Sequence, residues 1–224
     1  MQRCFAATSF LLVLSCLAGS AHAGSVVFSS GAFNGGIDAW DLTGAQYVAD
    51  NFTIGGQSIT GASFVVWADP GDSIATVDWQ ILTSPIAGTV LASGTAGVTQ
   101  TLITTPNIFG YDIDSESFAI PAFTPGPGTY WLELGNTQGS AAPFFWDEND
   151  NPNNIPNLLA WDSTVAGGYL NSTNDPTDCP GVACTETFTI TGTPEPGSFS
   201  LLATGLGVML ALRAGFKITR RTGR

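Results

Sequence analysis

The sequence lacks cationic side chains over most of its length. All six Lys and Arg residues of the 224-residue chain lie near its two ends, and the single histidine is His22. Residues 24–193 therefore contain no Lys, Arg or His, although they hold 17 of the 18 carboxylates, Glu195 being the other. Phosphate backbones are bound mainly through Lys and Arg, so we exclude nucleic acid as a partner.

The same absence removes most catalytic arrangements. A Ser-His-Asp or Cys-His site, a Schiff-base lysine, a histidine zinc site and an arginine phosphate clamp all need residues that this region does not have. Two carboxylates working as in glycoside hydrolysis need no cation, which leaves a carboxylate-only glycosidase as a remote alternative to a protein that is not an enzyme. The candidate acids are Asp112, Asp114, Glu116, Glu133, Asp147 and Glu148.

Cysteine is also scarce. Two of the four cysteines fall within the first 23 residues, which leaves Cys179 and Cys184 in "CPGVAC". Export favours a disulfide between them, and so short a loop limits its contribution to about 2 kcal/mol. Zinc is disfavoured because this region has no second cysteine pair and no histidine.

The first 23 residues have the pattern of a signal peptide. Arg3 precedes an apolar segment from Phe5 to Ala18, and "AHA" at residues 21–23 supplies the small residues of a cleavage site. We therefore expect an N-terminal signal helix, removed by signal peptidase, and a mature chain from Gly24. The alternative is a lipoprotein box, "VLSC", with Cys16 lipidated.

Residues 24–192 have the composition of strands and turns. They are rich in Thr, Val, Ile and aromatic residues, and Gly and Pro interrupt them at short intervals. Alternating apolar residues predict buried faces, as in Ile59, Phe64 and Val66, in Val77, Trp79 and Ile81, and in Tyr130, Leu132 and Leu134. Turns are predicted at 68–73, 83–88, 124–128 and 147–157. We predict one all-β domain of eight to eleven short strands, an antiparallel β-sandwich or jelly roll.

The segment "FFWDENDNPNN" is the best candidate for a ligand site. Asp147, Asn149 and Asn151 alternate as the oxygen ligands of a calcium loop do. The EF-hand pattern fails, because Pro152 stands at the position of the turn glycine, and we favour a plain polar loop over a calcium site of another type. Calcium is the metal that such a site would hold, and the sequence indicates no other cofactor.

Three aromatic residues suggest a second type of site. Trp146, Trp161 and Tyr169 are candidates for a platform on which sugar rings stack, with neighbouring Asp and Asn side chains as acceptors of hydroxyl protons. Burial in the core is the competing explanation for each ring.

Residues 193–224 end the chain with a different pattern. Ser198 to Leu212 carry no charge, and these 15 residues would span about 22 Å as a helix. A hydrocarbon core of about 30 Å is reached if the helix extends over about 198–218 and Arg213 reaches back to the interface. The positive-inside rule then places a basic tail in the cytoplasm, formed by Arg213, Lys217, Arg220, Arg221 and Arg224.

This order of features resembles the PEP-CTERM sorting segment of Gram-negative bacteria. Pro194, Glu195 and Pro196 match its motif, ahead of the apolar helix and the basic end. The resemblance implies processing by exosortase, a membrane-embedded cysteine transpeptidase, and an association with extracellular polysaccharide. One departure is a basic end less dense in Arg than that of many members. A plain C-terminal anchor is the alternative.

The strand-forming region resembles the jelly-roll-like ectodomains of exported bacterial surface proteins. The similarity rests on "VADNFTI", "ITGASFVVW", "VDWQILT" with "GTVLASG", and "GTYWLELG". The two resemblances imply an inner-membrane intermediate, and then a cell-surface or extracellular-matrix protein with a structural or interaction role. A carbohydrate-binding module is the alternative function.

Overall fold

The computed structural model describes residues 24–36, 38–85, 87–104, 106–149, 160–162 and 184–193. The predicted signal peptide and the sorting motif with its helix and basic tail lie outside these residues. Within the described ranges the chain forms strands and turns and no helix, so no helix there is long and apolar enough to span a membrane.

Thirteen strands account for the regular structure of the described residues. They are β1 (Ser25–Ser29), β2 (Asp38–Asp41), β3 (Tyr47–Gly55), β4 (Ser58–Ala68), β5 (Ile74–Leu82), β6 (Val90–Gly97), β7 (Thr99–Thr104), β8 (Asp112–Phe123), β9 (Pro127–Gly139), β10 (Phe145–Asn149), β11 (Ala160–Asp162), β12 (Thr185–Glu186) and β13 (Phe188–Thr193).

The strands form two sheets in which all ladder pairings are antiparallel. The five-stranded sheet has the order β11-β3-β9-β5-β6. The eight-stranded sheet is organised around β4, which pairs with β8 along one edge and with β13 and β10 along the other. Strand β10 also pairs with β2 and β12, β7 pairs with β8, and β1 pairs with β13. The predicted all-β antiparallel class is confirmed.

One hydrophobic core receives side chains from both sheets, an arrangement consistent with a β-sandwich. All nine residues that the alternating patterns assigned to buried faces belong to it. Ile59 and Phe64 lie five positions apart, an odd interval that would put them on opposite faces of a regular strand, yet both face this core. A register shift between Ile59 and Gly61, where β4 pairs with β8, accommodates the extra residue.

Three of the four predicted turns are confirmed as connections. The segments 68–73, 83–88 and 124–128 join β4 to β5, β5 to β6 and β8 to β9, each overlapping a strand end by at most two residues. The fourth prediction was wrong for Asp147, Glu148 and Asn149, which belong to β10. These polar residues pair in a ladder with β2 and β12, and tertiary hydrogen bonds replace their contacts with water.

Candidate functional site

An aromatic cleft lies on the eight-stranded sheet, on the face opposite the core. Trp67 of β4 and Phe145 of β10 are directly paired and project from this face. They belong to a separate apolar cluster with Val65, Ile113, Phe33, Ala39 and Tyr111. The cleft has a volume of about 420 Å³, within the range of small-molecule sites. Its lining residues are Asp38, Ala39, Trp67, Phe109, Tyr111 and Phe145.

Trp67 forms a fixed base for the cleft. Its side chain is only 5% exposed, and its indole Nε1 donates a hydrogen bond of 2.6 Å to Oδ1 of Asp147. Asp147 is fully buried and also accepts from the backbone of Asn34 and Gly35 at 3.3 and 2.9 Å and from Thr187 Oγ1 at 2.7 Å. The carboxylate thus holds three segments of the chain together.

The electrostatic environment of Asp147 is a balance of opposing effects. Burial raises its pKa above the ordinary value, whereas the hydrogen bonds from Thr187, Trp67, Gly35 and Asn34 lower it. A carboxylate with four protein donors has little remaining capacity for an external ligand. Asp147 is therefore a positioning group for the cleft.

The exposed wall of the cleft comes from the turn between β7 and β8. Asn107 Oδ1 accepts from the backbone N–H groups of Phe109 and Tyr111 at 2.9 and 3.0 Å, an Asx-type turn. Gly110 takes a positive φ of 92°, a conformation that favours glycine. This local geometry brings Phe109 out of the sheet while Tyr111 returns toward β8.

The rings of this turn are arranged against Trp67. Phe109 stacks on Trp67 with ring centroids 5.3 Å apart and an interplanar angle of 25°. Tyr111 lies 6.1 Å from Trp67 and 5.6 Å from Phe145. Phe109 remains 54% exposed, so one of its surfaces is available to a ligand. An exposed ring on a fixed aromatic base suits stacking with another flat or apolar surface.

The Tyr111 hydroxyl adds a polar group to the apolar lining of the cleft. Asp38 also lines the cleft, but its side chain belongs to the opposite face of the sheet, because Asp38 is the direct partner of Glu148 in β10; its Oδ1 accepts from the backbone of Ala39 at 2.8 Å. The described residues provide no hydrogen-bond partner for the Tyr111 hydroxyl. The cleft therefore combines apolar rings with one hydroxyl, and it lacks a cationic group.

One of the three residues of the predicted sugar platform, Trp146, is contradicted by the structure, and the other two are not tested. Trp146 is fully buried in the core, and its Nε1 donates to the Thr187 carbonyl at 3.0 Å, so it cannot present a face to a sugar. Trp161 lies in β11, for which only backbone pairing is described, and Tyr169 lies outside the described residues. Core burial was the correct explanation for Trp146.

The predicted calcium ligands also have other roles. Asp147 is saturated by protein donors, and Asn149 Nδ2 donates to Thr187 Oγ1 at 3.0 Å. Both residues share a face of β10 as expected from their spacing, but they are tied to the same threonine. Asn151 and Cys179 lie outside the described residues, so the disulfide between Cys179 and buried Cys184 stays a prediction.

The candidate catalytic acids are distributed over several surfaces. Asp147 and Glu148 are consecutive in β10 and project from opposite faces, Glu133 lies in the other sheet, and Asp112 accepts from the Gly71 backbone at 3.3 Å. Asp114 and Glu116 share a face of β8 and are almost fully buried. Burial raises the pKa of Glu116 to about 7, and the Asp114 charge adds to the effect.

No arrangement of three or more His, Cys, Asp or Glu side chains among the described residues could hold a metal ion as it stands. The comparisons with protein-family models and with curated proteins found no match for this chain.

The sequence did not identify the cleft residues. Their distinguishing signal is the "NIFGY" segment at 107–111, in which apolar residues stand between Asn and Gly. Apolar side chains in such a turn are 79% and 54% exposed at Ile108 and Phe109. Large apolar groups held in solvent by a defined turn often mark a binding surface.

Proposed function

We propose that this chain is an exported cell-surface or extracellular-matrix protein whose β domain binds a carbohydrate through the aromatic cleft. The observation that carries the proposal is the exposed Phe109 ring stacked on fixed Trp67, beside the Tyr111 hydroxyl. The proposed role is binding without catalysis.

The chemistry of the cleft favours a sugar over other ligands. The C–H face of a pyranose packs against aromatic rings, and its hydroxyl groups form hydrogen bonds with a side-chain hydroxyl such as that of Tyr111. An anionic ligand is disfavoured, because residues 24–193 contain no Lys or Arg. A neutral polysaccharide is therefore the proposed ligand class.

For the domain we propose a jelly-roll type of β-sandwich. In support, the chain changes sheet at successive connections: β3 lies in the five-stranded sheet, β4 in the other, β5 and β6 in the first again, and β7 and β8 in the second. Strand β9 then returns to the five-stranded sheet and β10 to the eight-stranded one. Such alternation builds the two facing sheets of a jelly roll.

Delivery to the surface is proposed from the two ends of the sequence. Residues 1–23 would direct export, and Pro194, Glu195 and Pro196 with the apolar segment and basic tail would hold an inner-membrane intermediate for exosortase. The resemblance to PEP-CTERM segments supports this route, and extracellular polysaccharide is the partner that would connect it to the cleft.

A glycan array would test the binding proposal. We expect the full-length protein, purified in detergent, to bind neutral glycans and Phe109→Ala to lose that binding. Leu102→Ala is a matched control, because Leu102 is 56% and Phe109 54% exposed and Leu102 lies in β7, outside the cleft. Equal binding by Phe109→Ala and the wild type would place the glycan elsewhere, and no binding by the wild type would contradict the proposed function.

The delivery proposal has an independent test. The intact mass of the protein would be measured in the native cells with and without exosortase. We expect the peptide after the Pro194–Pro196 motif to be missing only where exosortase is present. A mass that includes Arg224 in both strains would contradict processing and favour a plain anchor.

A further inference from the structure

A row of carboxylates crosses three strands of the eight-stranded sheet. Glu148 of β10 is directly paired with Asp38 of β2 on one side and with Glu186 of β12 on the other. Directly opposite residues of an antiparallel pair share a face, with Cβ atoms about 5 Å apart. Because Trp146, two residues before Glu148, belongs to the core, the row projects toward the five-stranded sheet.

A fourth carboxylate reaches the row from the other sheet. Asp50 of β3 is fully buried, and its Oδ2 accepts from the Glu186 backbone N–H at 2.8 Å and from Thr185 Oγ1. Its Oδ1 accepts from the Asn51 N–H at 2.6 Å. Asp50 therefore fixes β12 against β3 and brings acids of both sheets to one location.

Within this group of carboxylates, Glu186 is the one whose side chain is buried without any hydrogen bond. Its side chain is 0% exposed, and neither carboxyl oxygen has a hydrogen-bond partner. Burial raises its pKa well above the ordinary value, and the charges of Glu148, Asp50, Asp147 and Asp38 raise it further. A buried carboxylate without a partner is strongly unfavourable.

No side chain of residues 24–193 can neutralise the row, because the region has no Lys, Arg or His. The compensating charge must then come from outside this region, and the solution supplies it as protons or as a metal ion. One proton neutralises a single carboxylate, whereas one divalent ion neutralises two charges and also supplies the missing partner for both oxygens of Glu186. A divalent ion would therefore balance negative charge in the row and also provide a partner for the Glu186 oxygens.

We propose that Glu186, Glu148 and Asp50 bind a calcium ion between the two sheets. Calcium accepts six to eight oxygen ligands at 2.3–2.6 Å in flexible geometry, so carboxylates on residues about 5 Å apart can share one ion. Their oxygens do not converge on a single point in the structure, and rotation of the two glutamate side chains about their staggered torsions would bring them together. Magnesium fits less well because it demands near-ideal octahedral geometry.

This site differs from the one predicted at Asp147, Asn149 and Asn151. Glu148 projects from the opposite face of β10, and Glu186 and Asp50 are distant from Asp147 in sequence. The proposed calcium site is also distinct from the cleft. It lies between the two sheets, and its role would be to stabilise the short strand β12 rather than to bind a sugar.

Calorimetry with calcium chloride would test the site, using the full-length protein purified in detergent and stripped with a chelator. We expect about one ion per chain, with a Kd no weaker than the range of about 10⁻⁴–10⁻³ M that is typical of extracellular modules. The melting temperature should rise with calcium. In Glu186→Gln and in Glu148→Gln, the affinity should fall about tenfold or more, because each removes a charged ligand.

A matched control is Glu116→Gln, which removes a buried glutamate of β8 outside the row and should keep the wild-type affinity. Glu186→Gln should melt in chelator at or above the wild-type temperature, because the amide removes like-charge repulsion. Absence of calcium binding by the wild type would overturn the proposal and favour protonation. Wild-type affinity in Glu148→Gln would also overturn it, whether or not Glu186→Gln folds.

Discussion

Glu116 should make the folded protein less stable as the pH rises from about 4.5 to about 7. Its side chain is 1% exposed, and its pKa is raised from 4.5 to about 7, first by burial and then by the charge of Asp114. Between these two values the folded chain binds a proton that the unfolded chain has lost. The free energy of unfolding therefore falls as pH rises through this interval and is highest at its acidic end.

The size of the effect follows from the two pKa values. Each unit of difference corresponds to 1.36 kcal/mol, so the wild type should lose about 3 kcal/mol through Glu116 alone between pH 4.5 and pH 7. Glu116→Gln removes this titration with little change of shape. The variant should match the wild type near pH 4.5 and exceed its stability above pH 7 by up to about 3 kcal/mol.

Urea unfolding at a series of pH values would measure both curves. Glu133, whose pKa burial raises to about 7 in the other sheet, should keep a similar slope of its own in the variant. Asp69→Asn serves as a control, because Asp69 is exposed in the turn between β4 and β5. Identical pH dependence in Glu116→Gln and the wild type would refute the assignment of the buried proton to Glu116.

Two further substitutions test the packing around the cleft. Asp147→Ala leaves four donors, those of Trp67, Thr187, Asn34 and Gly35, without their acceptor. The free energy of unfolding, measured with urea, should fall by at least about 3 kcal/mol. A fall of less than about 1 kcal/mol would show that these hydrogen bonds contribute little to stability. Trp146→Ala should lower the free energy of unfolding by about 3–5 kcal/mol because it leaves a cavity in the core. Loss of sugar binding with an unchanged free energy of unfolding would contradict the burial of Trp146 in the core.

Much of the fold was predictable from the sequence because burial follows the strand period. Val77, Trp79 and Ile81 alternate with polar residues, and the structure places all three in the core. The extra strands β12 and β11 were not predictable, since two or three residues carry too little pattern. Asp147 to Asn149 were assigned to a turn because their polarity is typical of loops, and only distant donors such as Trp67 and Thr187 explain their burial.

The candidate site was less predictable, because it depends on contacts between residues that are far apart in the sequence. Trp146 and Trp67 are both tryptophans in strands, and the sequence does not indicate which face meets the second sheet. The cleft joins β2, β4 and β10 to the turn at 107–111, so its rings are neighbours only after long-range pairing. Likewise, Asp38, Glu148 and Glu186 form a row only because β2 and β12 flank β10.

The central claim is that the aromatic cleft binds a sugar through Phe109. Its most direct test is a calorimetric titration of the wild type, Phe109→Ala and Leu102→Ala with oligosaccharides prepared from the polysaccharide of the producing cells. We predict that Phe109→Ala weakens binding about tenfold, equivalent to about 1.4 kcal/mol, while Leu102→Ala binds as the wild type does. Equal affinities for all three proteins would contradict the account.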